Sequence, residues 1–103
     1  MTNLTDFIKN PLSDFGIQYR VHSTRRMFRR NIHEDDIVLK NGEIIEQYEE
    51  DFPLPSLLIN GRTSAGRPLH LVVAVNFSEM ELIVITAYEP DPRRWTENFS
   101  RRL

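Results

Sequence analysis

Two apolar runs limit what this chain can fold into more than any other feature. Leu69-His70-Leu71-Val72-Val73-Ala74-Val75 and Leu82-Ile83-Val84-Ile85-Thr86-Ala87-Tyr88 are rich in aliphatic and β-branched residues and free of Gly and Pro. They read as adjacent strands of a hairpin. The loop between them, Asn76 to Glu81, is too long for a two-residue turn, so hydrophobicity has to set the register. One register gathers Leu69, Leu71, Val73 and Val75 with Ile83, Ile85 and Ala87 on an apolar face. The reverse face then carries His70, Val72 and Ala74 with Leu82, Val84, Thr86 and Tyr88. The alternative mixes Thr86 and Tyr88 into the aliphatic side, so the first is expected. It places an imidazole, a hydroxyl and a phenol together, at the end of the hairpin away from the loop.

The flanking sequence supplies the other elements. Leu4 to Asn10 reads as a short helix stopped by Pro11. Gln18 to His22 reads as a brief strand or the start of a helix. Ser23 reads as the N-cap of a helix through Arg30, with Thr24, Met27 and Phe28 on its buried side and Arg26 and Arg30 on one stripe. A second helix is expected from His33 to Asn41-Gly42, with Glu34, Asp35 and Asp36 at the positive end of its dipole. Glu43 to Glu49 and Ser56 to Arg62 read as strands, and Pro90 and Pro92 end the last strand. Trp95, Phe99 and Leu103 recur every four residues, as in a short closing helix. The expected fold is α+β: N-terminal helices packed on a four-stranded antiparallel sheet, with a short C-terminal helix. Residues 1–16 form a lead-in and 17–103 one domain.

Size and composition exclude several classes. At 103 residues the chain holds one core. No apolar run approaches the ~20 residues that span a bilayer, and Met1 to Asn10 has no signal-like stretch, so a soluble cytoplasmic protein is the expectation. Without Cys there is no disulfide, thiolate metal site or cysteine nucleophile. His22, His33 and His70 lack close ligand spacing, so no metal or other cofactor is expected. The net charge of −2 conceals an asymmetry: Arg20 to Arg30 holds five Arg and no acid, whereas Glu34 to Asp51 holds eight acids and only Lys40. The basic block suits nucleic acid, an acidic partner, or the chain's own acidic block.

The order and spacing of these residues resemble the DUF4258 family. The likeness lies in His22-x3-Arg26-Met27-x2-Arg30-x-Ile32, Asn41-Gly42-Glu43 and Tyr48, then Pro53-x-Pro55-x2-Leu58-x2-Gly61 and Gly66-Arg67-Pro68-Leu69-His70. It closes on Ile85-Thr86-x-Tyr88-x-Pro90-Asp91-x3-Trp95 and spans roughly residues 17 to 100. The family's layout, and its association with small zinc-finger proteins of the antitoxin type, imply kinship with RelE-like and MqsR-like toxins. Those have an α+β, RelE/barnase-like fold and cut mRNA without a metal. The resemblance therefore implies an endoribonuclease of the toxin–antitoxin type, with an RNA substrate and an antitoxin as partner.

Metal-independent RNA cleavage needs a base for the 2′-hydroxyl, an acid for the leaving oxygen and positive charge at the phosphate. His70, Tyr88, Thr86 and Arg26 are the candidate catalytic residues. Arg30, Arg67 and His22 are the candidate phosphate ligands, with the first helix expected to arch its guanidinium groups over His70. Two other classes stay open: a non-catalytic RNA- or protein-binding module, and a small structural protein in which His70 is a satisfied core residue and Trp95 a core plug.

Overall fold

The computed structural model describes residues 14–32 and 37–103. The elements in order are β1 (Gly16–Tyr19), α1 (Val21–Arg29), β2 (Ile37–Tyr48), β3 (Ser56–Thr63), β4 (Pro68–Asn76) and β5 (Glu81–Tyr88). They form one five-stranded sheet in the order β1-β5-β4-β3-β2. β1 runs parallel to β5, and every other pair is antiparallel.

This overturns the expectation of helices on a four-stranded antiparallel sheet. The sheet is mixed, and α1 is the single α-helix among the described residues. The added strand comes from Gly16-Ile17-Gln18-Tyr19, where exposed Gly16 and Gln18 alternate with half-buried Ile17 and Tyr19 that pack on the core. Four residues of alternation are too short a pattern to distinguish a strand from the start of a helix. The helix expected from His33 is replaced from Ile37 onward by β2, whose Ile37-Val38-Leu39 run is better suited to a sheet. Residues 33–36, like the helix expected over 4–10, lie outside the described residues.

The hairpin registers partly as its hydrophobicity requires. His70 pairs with Tyr88, Leu71 with Ala87 and Val72 with Thr86. A bulge then intervenes, and Val73 pairs with Val84 and Val75 with Leu82. Leu82 and Val84 therefore share the buried face with Ala87, and Ile85 is left 43% exposed. The physical reason is the spacing of three between Val84 and Ala87. A strand of strict period two cannot bury both on one side, and one extra residue lets it.

The buried face joins Leu57 and Ile59 of β3, Leu69, Leu71, Val73 and Val75 of β4, and Leu82, Val84 and Ala87 of β5. Phe15, Met27 and Ile32 cover it. Apart from Ala87, each such side chain contributes about 1.5–3 kcal/mol through burial. Met27 thus places α1 on this face of the sheet.

Helix α1 also closes an exposed edge. β1 pairs with β5 only over Glu81 to Val84, leaving later β5 carbonyls without a strand partner on that side. The buried Ser23 hydroxyl donates between the carbonyls of Val84 and Ile85, 2.6 and 2.7 Å away. Arg30 Nη1 donates to the carbonyl of Ala87 at 2.8 Å. Ser23 is therefore not a cap; Arg20 holds the N-cap position without a side-chain bond. At the other end Asn31 has φ 57°, Asn31 N–H bonds to Phe28 O, and Ile32 N–H to Met27 O. That is a Schellman termination, with buried Ile32 packed in the same core as Met27. The buried stripe of the helix is Ser23 and Met27 alone. Thr24 and Phe28, expected inside, are exposed, Phe28 at 75%.

After β5 the chain crosses the opposite face of the sheet as a compact loop. Its Trp95–Arg102 bridge replaces the expected closing helix. Asn98 explains the loss: its Oδ1 accepts from Thr96 Oγ1, Ser100 N and Ser100 Oγ, local bonds that compete with helical ones. Phe99 takes φ 59°, and Leu103 remains 77% exposed.

Candidate functional site

His70 lies on the face of β4 that looks away from α1. Its neighbours across the sheet are Asn60 on β3 and Tyr88 on β5. The 95–102 loop seals it, so the imidazole is fully buried. Nε2 lies 2.8 Å from the Phe99 carbonyl, and the Trp95 ring stands edge-on at 4.5 Å between centroids. Nδ1 lies 3.4 Å from the Tyr88 hydroxyl. A carbonyl can only accept, so Nε2 carries the proton and Nδ1 faces the phenol as an acceptor. Burial pushes the imidazole below its ordinary pKa, with the Phe99 carbonyl and the charge of Glu46 opposing that shift and Arg102 adding to it. His70 is therefore neutral at physiological pH. Burial likewise raises the Tyr88 phenol.

Beside this pair lies a polar cluster on β2 that had no place in the expected site. Arg102 donates from Nε and Nη2 to the Glu46 carboxylate at 2.7 and 3.1 Å, and Tyr48 donates its hydroxyl to Glu46 Oε1 at 2.6 Å. The Arg102 guanidinium also sits 4.7 Å from the Trp95 ring centroid. The hydrogen bond from Arg102 holds Glu46 below the usual carboxylate range, against the opposing effect of burial. Burial first, and then Glu46, pushes the Tyr48 phenol up to about 12. A carboxylate, a protonated phenol and a guanidinium thus meet next to a neutral imidazole. Glu46 and Tyr48, two residues apart, were a legible signal of a shared face on a strand. Arg102 and its reach to β2 were not, because that contact spans 56 residues.

The other candidate residues scatter. Thr86 shares the face of His70 and Tyr88, and its hydroxyl accepts from Arg30 Nη1 at 3.2 Å. Arg67 is a tie rather than a free cation: Nη1 and Nη2 donate to the carbonyls of Asn31 and Arg30, and Nε to Glu89. His22 and Arg26 are exposed on α1, across the sheet from His70. The expected arch of guanidinium groups over His70 is absent because Met27 docks α1 on the other side.

The exposed surface of α1 forms a second candidate site. Val21, Arg25, Phe28 and Arg29 follow one another at helical spacing on its outer side, with Val21 66% exposed. Arg20 precedes them and Arg26 lies alongside. Among the described residues, none of these four arginines forms an ion pair with a carboxylate.

A mixed five-stranded sheet, one edge-sealing helix and a buried histidine–tyrosine pair define a small, mostly-sheet domain. Residues 19–89 match the family described as Domain of unknown function (DUF4258), and the chain belongs to that family. No curated protein and no solved structure matches it. Among the described residues no helix is long and apolar enough to cross a membrane.

Proposed function

We propose that this protein binds RNA, with the exposed side of α1 as the contact surface. The observation that carries the reading is the set of exposed guanidinium groups at Arg20, Arg25, Arg26 and Arg29, unpaired with carboxylates among the described residues, around an aromatic ring that is itself in solvent. Guanidinium groups contact phosphate, and an exposed ring offers a stacking surface for an unpaired base. Three further arginines contrast with these: Arg30, Arg67 and Arg102 are each bonded to the fold itself.

Fluorescence polarisation with a labelled single-stranded RNA, repeated across salt concentrations, tests this. Each phosphate contact contributes about 0.7 to the slope of log affinity against log salt for a single strand. Arg25→Gln with Arg29→Gln is expected to weaken binding and flatten that slope by about 1.4. Wild-type protein with no affinity for RNA at low salt refutes the reading.

A second reading adds strand scission of the toxin type, favoured by the clustering of His70, Tyr88, Glu46, Tyr48 and Arg102. Neutral Nδ1 of His70 would accept the 2′-hydroxyl proton, a protonated phenol would donate to the leaving oxygen, and Arg102 would face the phosphate. In the closed arrangement Trp95 and Phe99 cover the imidazole, so scission requires the loop to move. RNA left intact by wild-type protein, at concentrations where polarisation registers full binding, separates binding from cutting and removes this second reading.

A further inference from the structure

The loop that seals His70 is built differently from the sheet beneath it. It is held together from within: Thr96 N–H bonds to Arg101 O, Phe99 N–H to Thr96 O, Leu103 N–H to Arg94 O, and Asn98 Oδ1 takes three local donors. Its polar ties to the sheet among the described residues are few. They include Asn60 Nδ2 to Asn98 O, His70 Nε2 to Phe99 O, and Arg102 to Glu46 and Tyr48. Open recesses flank it on both sides of Asn98, one of ≈ 430 Å³ against Asn60 and Arg62, the other of ≈ 620 Å³ against Ile44 and Ile45. Phe99, whose carbonyl holds the imidazole, has a left-handed backbone at φ 59°, a conformation that costs a non-glycine residue free energy.

We propose that residues 95–102 form a gate over the His70–Tyr88 pair, latched by Arg102 in the Glu46 carboxylate. Because the loop carries its own hydrogen bonds, it can swing away as a unit while β2 to β5 stay paired. Arg102 is the latch because it grips two things at once: Glu46 on the sheet and the Trp95 ring within the loop. A phosphate group competes directly with a carboxylate for a guanidinium fork, so an incoming phosphodiester would both release the latch and take its place. Only that last step rests on the second, strand-scission reading. The gate itself depends on the contacts above.

The test is the rate at which diethyl pyrocarbonate modifies His70, located by peptide mass spectrometry, with exposed His22 as an internal control. If the loop opens locally, the rate at His70 stays nearly flat in low urea, because a local opening exposes little new surface. Arg102→Ala and Glu46→Gln each raise it about fivefold, the scale set by an exposed ion pair, without changing the rate at His22. Arg102 is solvent-exposed and Gln keeps the shape of Glu, so both variants are expected to fold, which circular dichroism checks. The gate is overturned if modification of wild-type His70 rises with urea as steeply as global unfolding. It is also overturned if folded variants modify at the wild-type rate. Faster modification in the variants, in a protein that binds no RNA, supports the gate and removes the RNA reading.

Discussion

His70 donates its Nε2 proton to the backbone carbonyl of Phe99 across 2.8 Å, one of the contacts that join the sheet to the loop covering it. It fixes the tautomer, aims Nδ1 at Tyr88 and buries the ring. The same burial makes the residue a liability in acid.

In the folded protein His70 titrates below its ordinary value, chiefly because it is buried, whereas in the unfolded chain it titrates near ~6.5. Between those two values the unfolded chain binds a proton that the folded one refuses, so stability falls as pH falls through that window. Above both values His70 adds no pH dependence. Thermal melts from about pH 8 down to about pH 5 are expected to show a falling midpoint in the wild type and a shallower fall in His70→Gln. Glu46 acts lower down. Its depressed pKa gives stability that is present above the unfolded carboxylate value and lost as pH drops through the folded one.

Ser23→Ala is expected to destabilise the fold by about 1–3 kcal/mol, because it strips the donor from the carbonyls of Val84 and Ile85 at a buried position. Were Ser23 an N-cap, the loss would fall on the first turn of α1. Amide exchange separates the two, since the account places the new exposure where the helix meets β5.

Leu71→Ala removes a core side chain of β4 that pairs with Ala87 and Ile59, and is expected to cost about 2–5 kcal/mol in urea denaturation. Val72→Ala, on the opposite and only half-covered face, is expected to cost less.

Much of this was legible in the chain. The Leu69–Val75 and Leu82–Tyr88 runs carried the hairpin and the placing of His70, Thr86 and Tyr88 on one face, because alternation leaves few registers. The bulge at Ile85 escaped because a strict period of two was assumed, although Val84 and Ala87 at spacing three were asking to be buried together. Asn31-Ile32 carried the C-terminal signal of α1: a residue tolerant of positive φ, followed by a hydrophobe. The strand expected over Glu43 to Glu49 is the second half of β2, whereas its first half reads as helix because the acids at 34–36 resemble a helix start and outweigh Ile37-Val38-Leu39. The covered state of His70 could not be seen locally, because Phe99 lies 29 residues away and reaches it through a loop rather than a repeating pattern.

Phe28→Ser separates fold from function. The ring is exposed, so stability is expected to shift by no more than about 0.5 kcal/mol. If the ring stacks on a base, affinity for single-stranded RNA falls by about 1–3 kcal/mol while the salt slope is kept, because no phosphate contact is lost. Polarisation at two salt concentrations measures both quantities.

The RNA surface itself is tested most directly by amide chemical-shift mapping of labelled protein titrated with a single-stranded oligoribonucleotide. The account predicts that the largest perturbations fall on residues 20–30, with the sheet interior nearly unmoved. Perturbations centred on the acidic Glu43–Asp51 stretch, or none at saturating RNA, would contradict it.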